Sequence, residues 1–401
     1  MYLYCSYSDI CGYTIYYHKT LLTVYLSIRM RLLSQRLLGL TTIAILSTIM
    51  VVSAIASQKS FAQAQVTING AGATFPFPLI DTWRVAYQKD HPNVNINYQS
   101  IGSGGGVKQF TAKTVDFGAS DAPLTDQEQK AAPGAVQIPE TIGSVVVAYN
   151  LPGIASKALK FTGPILAEIF QGKITKWNDP QIKTLNPGVN LPNINIAVVH
   201  RSDGSGTTFV WTSYLSKSSP SWDQTVGASK SVPWPVGIGA PGNEGVANAI
   251  KGSPNTIGYV ELNYALTTGI PYALIKNPAG QFVAPSLNST QAAVANSAIV
   301  KSLPAGDQSW TKVQMLNSPG SSTYPIASFT YLLLPKDMST NPSLDQTKAK
   351  ALVDFISWAI TDGQKLASKL GYVPLPAEVV KHDQDTLKSL TFKGTPIETG
   401  Q

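Results

Sequence analysis

The chain has 401 residues, of which 43% are hydrophobic and only 13% charged. That balance excludes a disordered chain and leaves room for two globular domains. The formal net charge of +7 invites an anionic partner, but five of the 30 basic residues and one of the 23 acidic ones fall within the first 64 positions. What remains is nearly balanced, so nucleic acid is not an expected partner.

Residues 1–29 hold both cysteines, Cys5 and Cys11, and seven of the 17 tyrosines. They read as an extension ahead of a second start at Met30. Residues 30–64 carry Arg31 and Arg36, an uncharged run from Leu37 to Gln58, and Ala62-Gln63-Ala64. A basic start, an apolar run and a small-x-small exit form a secretory signal peptide, with cleavage expected after Ala64. The alternative is a retained anchor, since the run is long enough to span a bilayer. After cleavage the mature chain has no thiol, which excludes disulfides, zinc–thiolate sites, cysteine nucleophiles and a lipidated N-terminal cysteine. A soluble protein in the periplasm, or otherwise outside the cytoplasm, is the expectation.

Along the mature chain, strands and helices alternate. Leu79, Trp83 and Tyr87 share one helical face, and Val94, Ile96 and Tyr98 alternate as a half-buried strand. Ile194, Ile196 and Val198 repeat the strand pattern. Val210 with Tyr214 and Trp211 with Leu215 mark another helix, and Leu352, Phe355, Ile356 and Ala359 a late amphipathic one. This alternation predicts α/β architecture with mostly parallel sheets. Trp83, Trp211 and Trp358 fall on apolar helical faces and are assigned to core packing.

Four short segments carry the chemistry: Gly70 to Phe75, Gly102 to Gly106, Asp116 to Asp121, and Arg201 to Thr207. Three of them are strand–glycine turn–helix junctions. Such a turn exposes unpaired backbone N–H groups at the positive end of a helix dipole, and glycine lets an anion come close. The spacing fits neither the dinucleotide fingerprint nor the nucleotide-binding loop, because Phe75 and Val107-Lys108-Gln109 stand at the diagnostic places. No cofactor and no metal are expected. The turns describe a site for a small oxyanion.

Asp121 and Asp203 are unusual in such a site. A carboxylate facing a dianion repels it unless it accepts a hydrogen bond, which a protonated phosphate oxygen supplies and sulfate does not. Asp121 therefore reads as a filter for phosphate, or more plainly as a helix N-cap before Pro123. Asp203, close to Arg201, reads as its orienting partner, or as a turn residue before Gly204.

These segments resemble the periplasmic phosphate-binding proteins of the phosphate ABC transporter, the PstS family. The resemblance rests on G-A-G-A-T-F-P at 70–76, Y-Q-S-I-G-S-G-G-G-V-K-Q at 98–109, V-D-F-G-A-S-D-A-P-L at 115–124 and R-S-D-G-S-G-T at 201–207. It continues in G-K-I-T-K-W at 172–177, W-P-V-G-I-G-A-P-G-N-E-G-V at 234–246 and I-G-Y-V-E at 257–261. It implies a two-lobed, hinged fold of the type II-like binding-protein kind, each lobe a mostly parallel sheet flanked by helices, with the ligand cleft at the hinge. Lobe 1 would comprise 65–144 plus about 275–401, and lobe 2 about 145–274, with crossings near 142–146 and within 262–280. By matching motif, Thr74, Phe75 (through its backbone N–H), Ser103, Asp121, Arg201, Ser205, Gly206 and Thr207 would bind phosphate, and Asp203 would hold Arg201. Gly104 stands where many members carry a second serine.

The implied function is binding of inorganic phosphate and delivery to a membrane permease by lobe closure, by a protein monomeric before docking. Another tetrahedral oxyanion is the alternative ligand. A secreted hydrolase is the rival class, because Ser205 lies in a Gly-Ser-Gly turn. Of His91, His200 and His382, only His200 is near, and as Arg201's strand neighbour it should point to the opposite face. An enzyme is therefore not expected.

Overall fold

The computed structural model describes residues 65–398 and, nearer the N-terminus, residues 23, 25–31 and 33, which are helical. The chain divides into two units, Met1–Ala64 and Gln65–Gln401. Both cysteines, the uncharged run and the small-x-small exit lie outside the described residues. Among the described residues, no helix is long and apolar enough to cross a membrane.

The second unit is built on eight strands: β1 (Val66–Gly72), β2 (Val94–Ser100), β3 (Phe117–Ser120), β4 (Ala135–Asn150), β5 (Ala197–Arg201), β6 (Ile238–Ala240), β7 (Thr256–Glu261) and β8 (Ala327–Pro335). Their order across the sheet is β2-β1-β3-β8-β4-β7-β5-β6. β2, β1 and β3 run parallel, as do β7, β5 and β6. Between these triplets β8 runs antiparallel to both β3 and β4, and β4 antiparallel to β7. The result is the two-lobed α/β fold expected, two parallel cores joined through an antiparallel centre.

β4 makes the join. Up to Ser144 it pairs with β8, and from Val145 to Asn150 it pairs with β7. Its side chains are buried along its whole length except at Asn150. Covering on both faces explains why Val145 to Tyr149 reads as a continuous apolar run rather than an alternation.

The principal helices follow the strands. α1 (Phe77–Asp90) begins with Pro78 in its first turn and buries Leu79, Ile80, Trp83 and Tyr87, the face anticipated from spacing. α2 (Ser103–Thr111) starts directly after Gly102. α3 (Gly206–Ser218) buries Val210, Trp211, Tyr214 and Leu215, so both predicted pairs face the core. α4 (Gly242–Gly252), α5 (Leu262–Thr268) and α6 (Gln346–Ala359) complete the set used below. α6 buries Leu352, Phe355, Ile356 and Ala359.

Two expectations from patterning need adjusting. The strand read from Ile194, Ile196 and Val198 begins only at Ala197, and Ile194 is exposed. Before Ala197 the segment makes an isolated bridge from Asn195 to Lys176, so its alternation reflects a crossing loop. Trp358 is only partly buried; it packs beside Tyr87 with ring centroids 5.3 Å apart.

Gly106 shows how tightly α2 sits on the sheet. A Cβ there would lie 2.8 Å from the carbonyl oxygens of both Ala71 and Ala119, which are main-chain atoms of β1 and β3. Gly106→Ala is therefore expected to cost about 1–3 kcal/mol. Gly252→Ala, with nothing within 4 Å, should be neutral or stabilising by up to about 1 kcal/mol. Urea unfolding of both variants checks the contrast, and equal midpoints would contradict it.

Candidate anion-binding site

The carboxyl ends of β1, β3 and β5 converge with the starts of α2, α3 and α4. Donors at strand ends meet helix N-termini here, the arrangement in which open α/β sheets hold ligands. Gly102 has φ +83°, and a Cβ there would collide with the Asp203 carboxylate. One turn further, the Gly104 N–H donates to the Gly204 carbonyl at 2.8 Å. Gly104 has no open room either, since its Cβ would lie 3.0 Å from the Gly204 Cα.

Arg201, at the end of β5, is 3% exposed. Its Nε donates to Asp203 Oδ1 at 2.8 Å and a terminal nitrogen to Asp203 Oδ2 at 2.5 Å. A second terminal nitrogen reaches Thr207 Oγ1 at 3.4 Å. The Gly242 N–H, at the head of α4, donates to Asp203 Oδ1 at 3.1 Å. Asp203 thus holds a bidentate pair and fixes the guanidinium plane. Burial pushes its carboxyl up, but the bonds and charge of Arg201 outweigh that and hold it below the usual range.

Asp121 is buried just beyond β3. It caps no helix: the helix that follows takes its cap from Thr125, whose hydroxyl accepts from the Glu128 N–H. Asp121 instead accepts from Thr330 Oγ1 at 3.0 Å on Oδ1 and from Thr207 Oγ1 at 3.3 Å on Oδ2. Its own N–H donates to Ser103 Oγ at 3.2 Å. Burial raises its pKa to about 7, against the lowering effects of Thr330, Arg201 and Thr207. Gly206 abuts it, since a Cβ there would sit 2.6 Å from Asp121 Oδ2.

The remaining sequence candidates lie in the same place. Thr74 Oγ1 accepts from Asn243 Nδ2 at 2.8 Å, and Asn243 Nδ2 also reaches Thr207 Oγ1 at 3.0 Å. The Phe75 carbonyl accepts from the Tyr372 hydroxyl at 2.7 Å, and the Phe75 ring is buried against Gly143 and Tyr372. Ser205 Oγ caps α3 by accepting from the Thr208 N–H at 3.0 Å, which leaves its proton free to donate elsewhere.

His200 stands apart from this chemistry. It stacks on Trp234 with centroids 4.6 Å apart, and its Nδ1 lies 3.0 Å from the Arg201 carbonyl. Burial lowers its pKa, partly countered by that carbonyl. Ser205 is paired with its own helix and not with a base. Among the described residues, no group of three or more His, Cys, Asp or Glu could hold a metal ion.

Sequence reasoning missed Asn243, Thr330, Glu140 and Glu261. Asn243 ties Thr74 to Thr207 through its amide, and its Oδ1 accepts from the Glu261 N–H at 3.0 Å. It was legible only as part of the run at 234–246. Glu140 and Glu261 are fully buried acids. Burial first, then the charge of Asp121, pushes Glu140 up to about 8, while burial carries Glu261 well above the ordinary range. An acid in the segment leading into the apolar run of β4 was the available signal, because Glu is seldom fully buried without a role. Around the site, Lys230 pairs with Glu128, and Ser100 Oγ donates to Glu244 Oε1 at 3.3 Å.

Convergent donors from two sheet halves are the arrangement in which two-lobed α/β proteins hold a ligand at their strand ends. Residues 57–362 match the family described as the PBP superfamily domain. A phosphate-binding protein PstS of Pasteurella multocida is 47% identical over 327 residues, spanning 82% of this chain and 91% of that protein. One from Haemophilus influenzae is 46% identical, spanning 82% and 93%. A solved high-affinity periplasmic phosphate-binding protein bound with phosphate shares the fold with a TM-score of 0.62 at 22% identity, covering 83% of this chain and 96% of that one. The chain belongs to the PstS family of phosphate-binding proteins, whose members bind a substrate and do not transform it.

Asn243→Ala would strip partners from the Thr74 and Thr207 hydroxyls and the Glu261 N–H, all buried. Thr74 Oγ1 keeps the Asn243 N–H, and Thr207 Oγ1 keeps Arg201 and Asp121, so the Glu261 N–H is the group left bare and the expected loss is about 1–3 kcal/mol. Chemical denaturation measures it, and a loss below about 0.5 kcal/mol would show that the amide holds nothing together.

Proposed function

We propose that this protein binds one inorganic phosphate between its two sheet halves and delivers it to the permease of an ABC-type importer. Asp121 carries the reading: a buried carboxylate, held by the Thr330 and Thr207 hydroxyls, accepts the proton that phosphate has and sulfate lacks. Thr74, the Phe75 N–H, Ser103, Arg201, Ser205, Gly206 and Thr207 supply the donors, and Asp203 holds Arg201. The relatives' names agree with this ligand. The hydrolase alternative has no observation in its favour.

Lobe 1 comprises 65–144 with the C-terminal part, and lobe 2 begins at about 145, where β4 changes partner. The pairing of Lys160–Phe161 with Leu274–Lys276, and of that strand with Phe282–Val283, supports a return crossing later than 262–280, where β8 begins. Only the closed arrangement brings donors from both lobes onto one anion, so binding shifts the protein toward closure by that difference in affinity. The protein acts as a monomer outside the cytoplasm, released by cleavage after Ala64, and the permease recognises its closed form.

Titration calorimetry on protein freed of bound anion, with phosphate and then sulfate, tests the reading. Tight one-to-one phosphate binding without a sulfate response is expected, and binding of both anions would remove the filter. Arg201→Ala should weaken phosphate by about a hundredfold or more, the worth of one or two charge-assisted hydrogen bonds. Asp121→Asn should admit sulfate; a variant that still rejects it would refute the acceptor role.

A further inference from the structure

Asp121, Thr330 and Glu140 stand in a row across three neighbouring strands. Asp121 directly follows β3, Thr330 lies on β8 and Glu140 on β4. β8 pairs Tyr331 with Pro139 but Thr330 with Thr141, so Glu140 is an extra residue in β4. Such a bulge releases a residue from the alternation of the strand and re-aims its side chain. Here it sends the carboxyl to Thr330, whose Oγ1 lies 3.2 Å from Glu140 Oε1 and 3.0 Å from Asp121 Oδ1.

A hydroxyl has one proton, so Thr330 donates to only one of these two acids. Were both ionised, the other contact would set lone pair against lone pair in a fully buried place, which is costly. At least one carboxyl therefore carries a proton. Resting on the phosphate reading above, the choice falls on Glu140, because Asp121 must accept from the anion. We propose that Glu140 is a positioning residue for phosphate recognition: it stays protonated, donates to Thr330 Oγ1, and so commits the Thr330 proton to Asp121 Oδ1. Asp121 is then held as an acceptor, its orientation fixed by Thr330 on one oxygen and Thr207 on the other. No proton changes hands when phosphate binds.

The surroundings agree. Glu140 Oε2 is buried with no hydrogen-bond partner, a state a neutral acid tolerates far better than a carboxylate. Asp121 is the charge acting on Glu140, and Tyr98, across the sheet on β2, faces it with a phenol that burial and Glu140 both push up. Arg201 and Asp203 act on Asp121, and Asp121 in turn raises Glu261. The Glu140 carbonyl is fixed by Gln364 Nε2 at 3.0 Å. Burial and the charge of Asp121 together hold Glu140 well above the usual carboxylate range, the direction that favours its protonated form. Above about pH 8 Glu140 ionises and draws the Thr330 proton to itself. Asp121 Oδ1 then loses its donor, a second negative charge faces the site, and phosphate affinity falls.

The test is phosphate calorimetry on wild type and Glu140→Gln from about pH 6 to about pH 9. The amide donates to Thr330 at every pH, and the titration of phosphate itself is common to both proteins, so the ratio of their dissociation constants isolates Glu140. The ratio is expected to be flat at low pH. Above about pH 8 the wild type should weaken against the variant, by up to about tenfold per pH unit. Parallel profiles would overturn the proposal. A second measurement needs no variant: the infrared spectrum of phosphate-loaded wild type at neutral pH should show the carbonyl band of a protonated carboxylic acid, and its absence would equally overturn it. Failure of wild type to bind phosphate at any pH would instead remove the phosphate reading, and this one with it.

Discussion

The site depends on two turns that touch main chain to main chain. Gly102 to Gly106 from one half of the sheet and Gly204 to Gly206 from the other approach so closely that Gly104 donates to the Gly204 carbonyl. An anion recognised by backbone N–H groups at helix starts needs such bare turns, since any side chain would stand where the ligand or the opposing turn must go. Glycine costs chain entropy for this. The helices behind the turns offset it: α3 buries Val210, Trp211, Tyr214 and Leu215, and α2 lies directly on β1 and β3.

The charge arrangement follows from that closeness. The described centre of the sheet holds more buried acid than Arg201 can neutralise: Arg201 acts on Asp121 and Asp203, while Glu140 and Glu261 are buried within reach of the charge of Asp121. Asp203 already occupies two of its nitrogens. The guanidinium is therefore a directed donor more than a bare attraction for any anion, and discrimination falls to hydrogen-bond count. Protons settle the excess of acid, either on the carboxyl groups themselves or on the ligand. On the phosphate reading proposed above, a dianion that brings no proton would be left facing an unpaired carboxylate.

Much of this was legible in the chain. The glycine turns announced themselves by composition, and the helix faces of α1, α3 and α6 by spacing, because both are local rules. Arg201 and Asp203 could be paired since two residues of one turn have little choice. Asn243, Thr330 and Glu140 could not be placed, because their roles depend on strands that pair across distances of 100 to 200 residues in the sequence. The bulge at Glu140 in particular exists only against β8. Asp121 as a cap failed for a related reason: Thr125, with Glu128 three residues on, made the stronger capping box nearby. The alternation at 194–198 misled because a crossing loop with one bridge imitates a strand.

The sheet order also governs when the molecule can come into being. β8, formed by residues 327–335, lies between β3 and β4, which are made some 200 residues earlier. Until Ala327 has emerged, β3 and β4 each present an open edge, and the central strand of the whole sheet has no neighbour on that side. Closing so long a loop is slow. The pairing at the centre of this sheet is therefore completed only by residues from the last fifth of the chain.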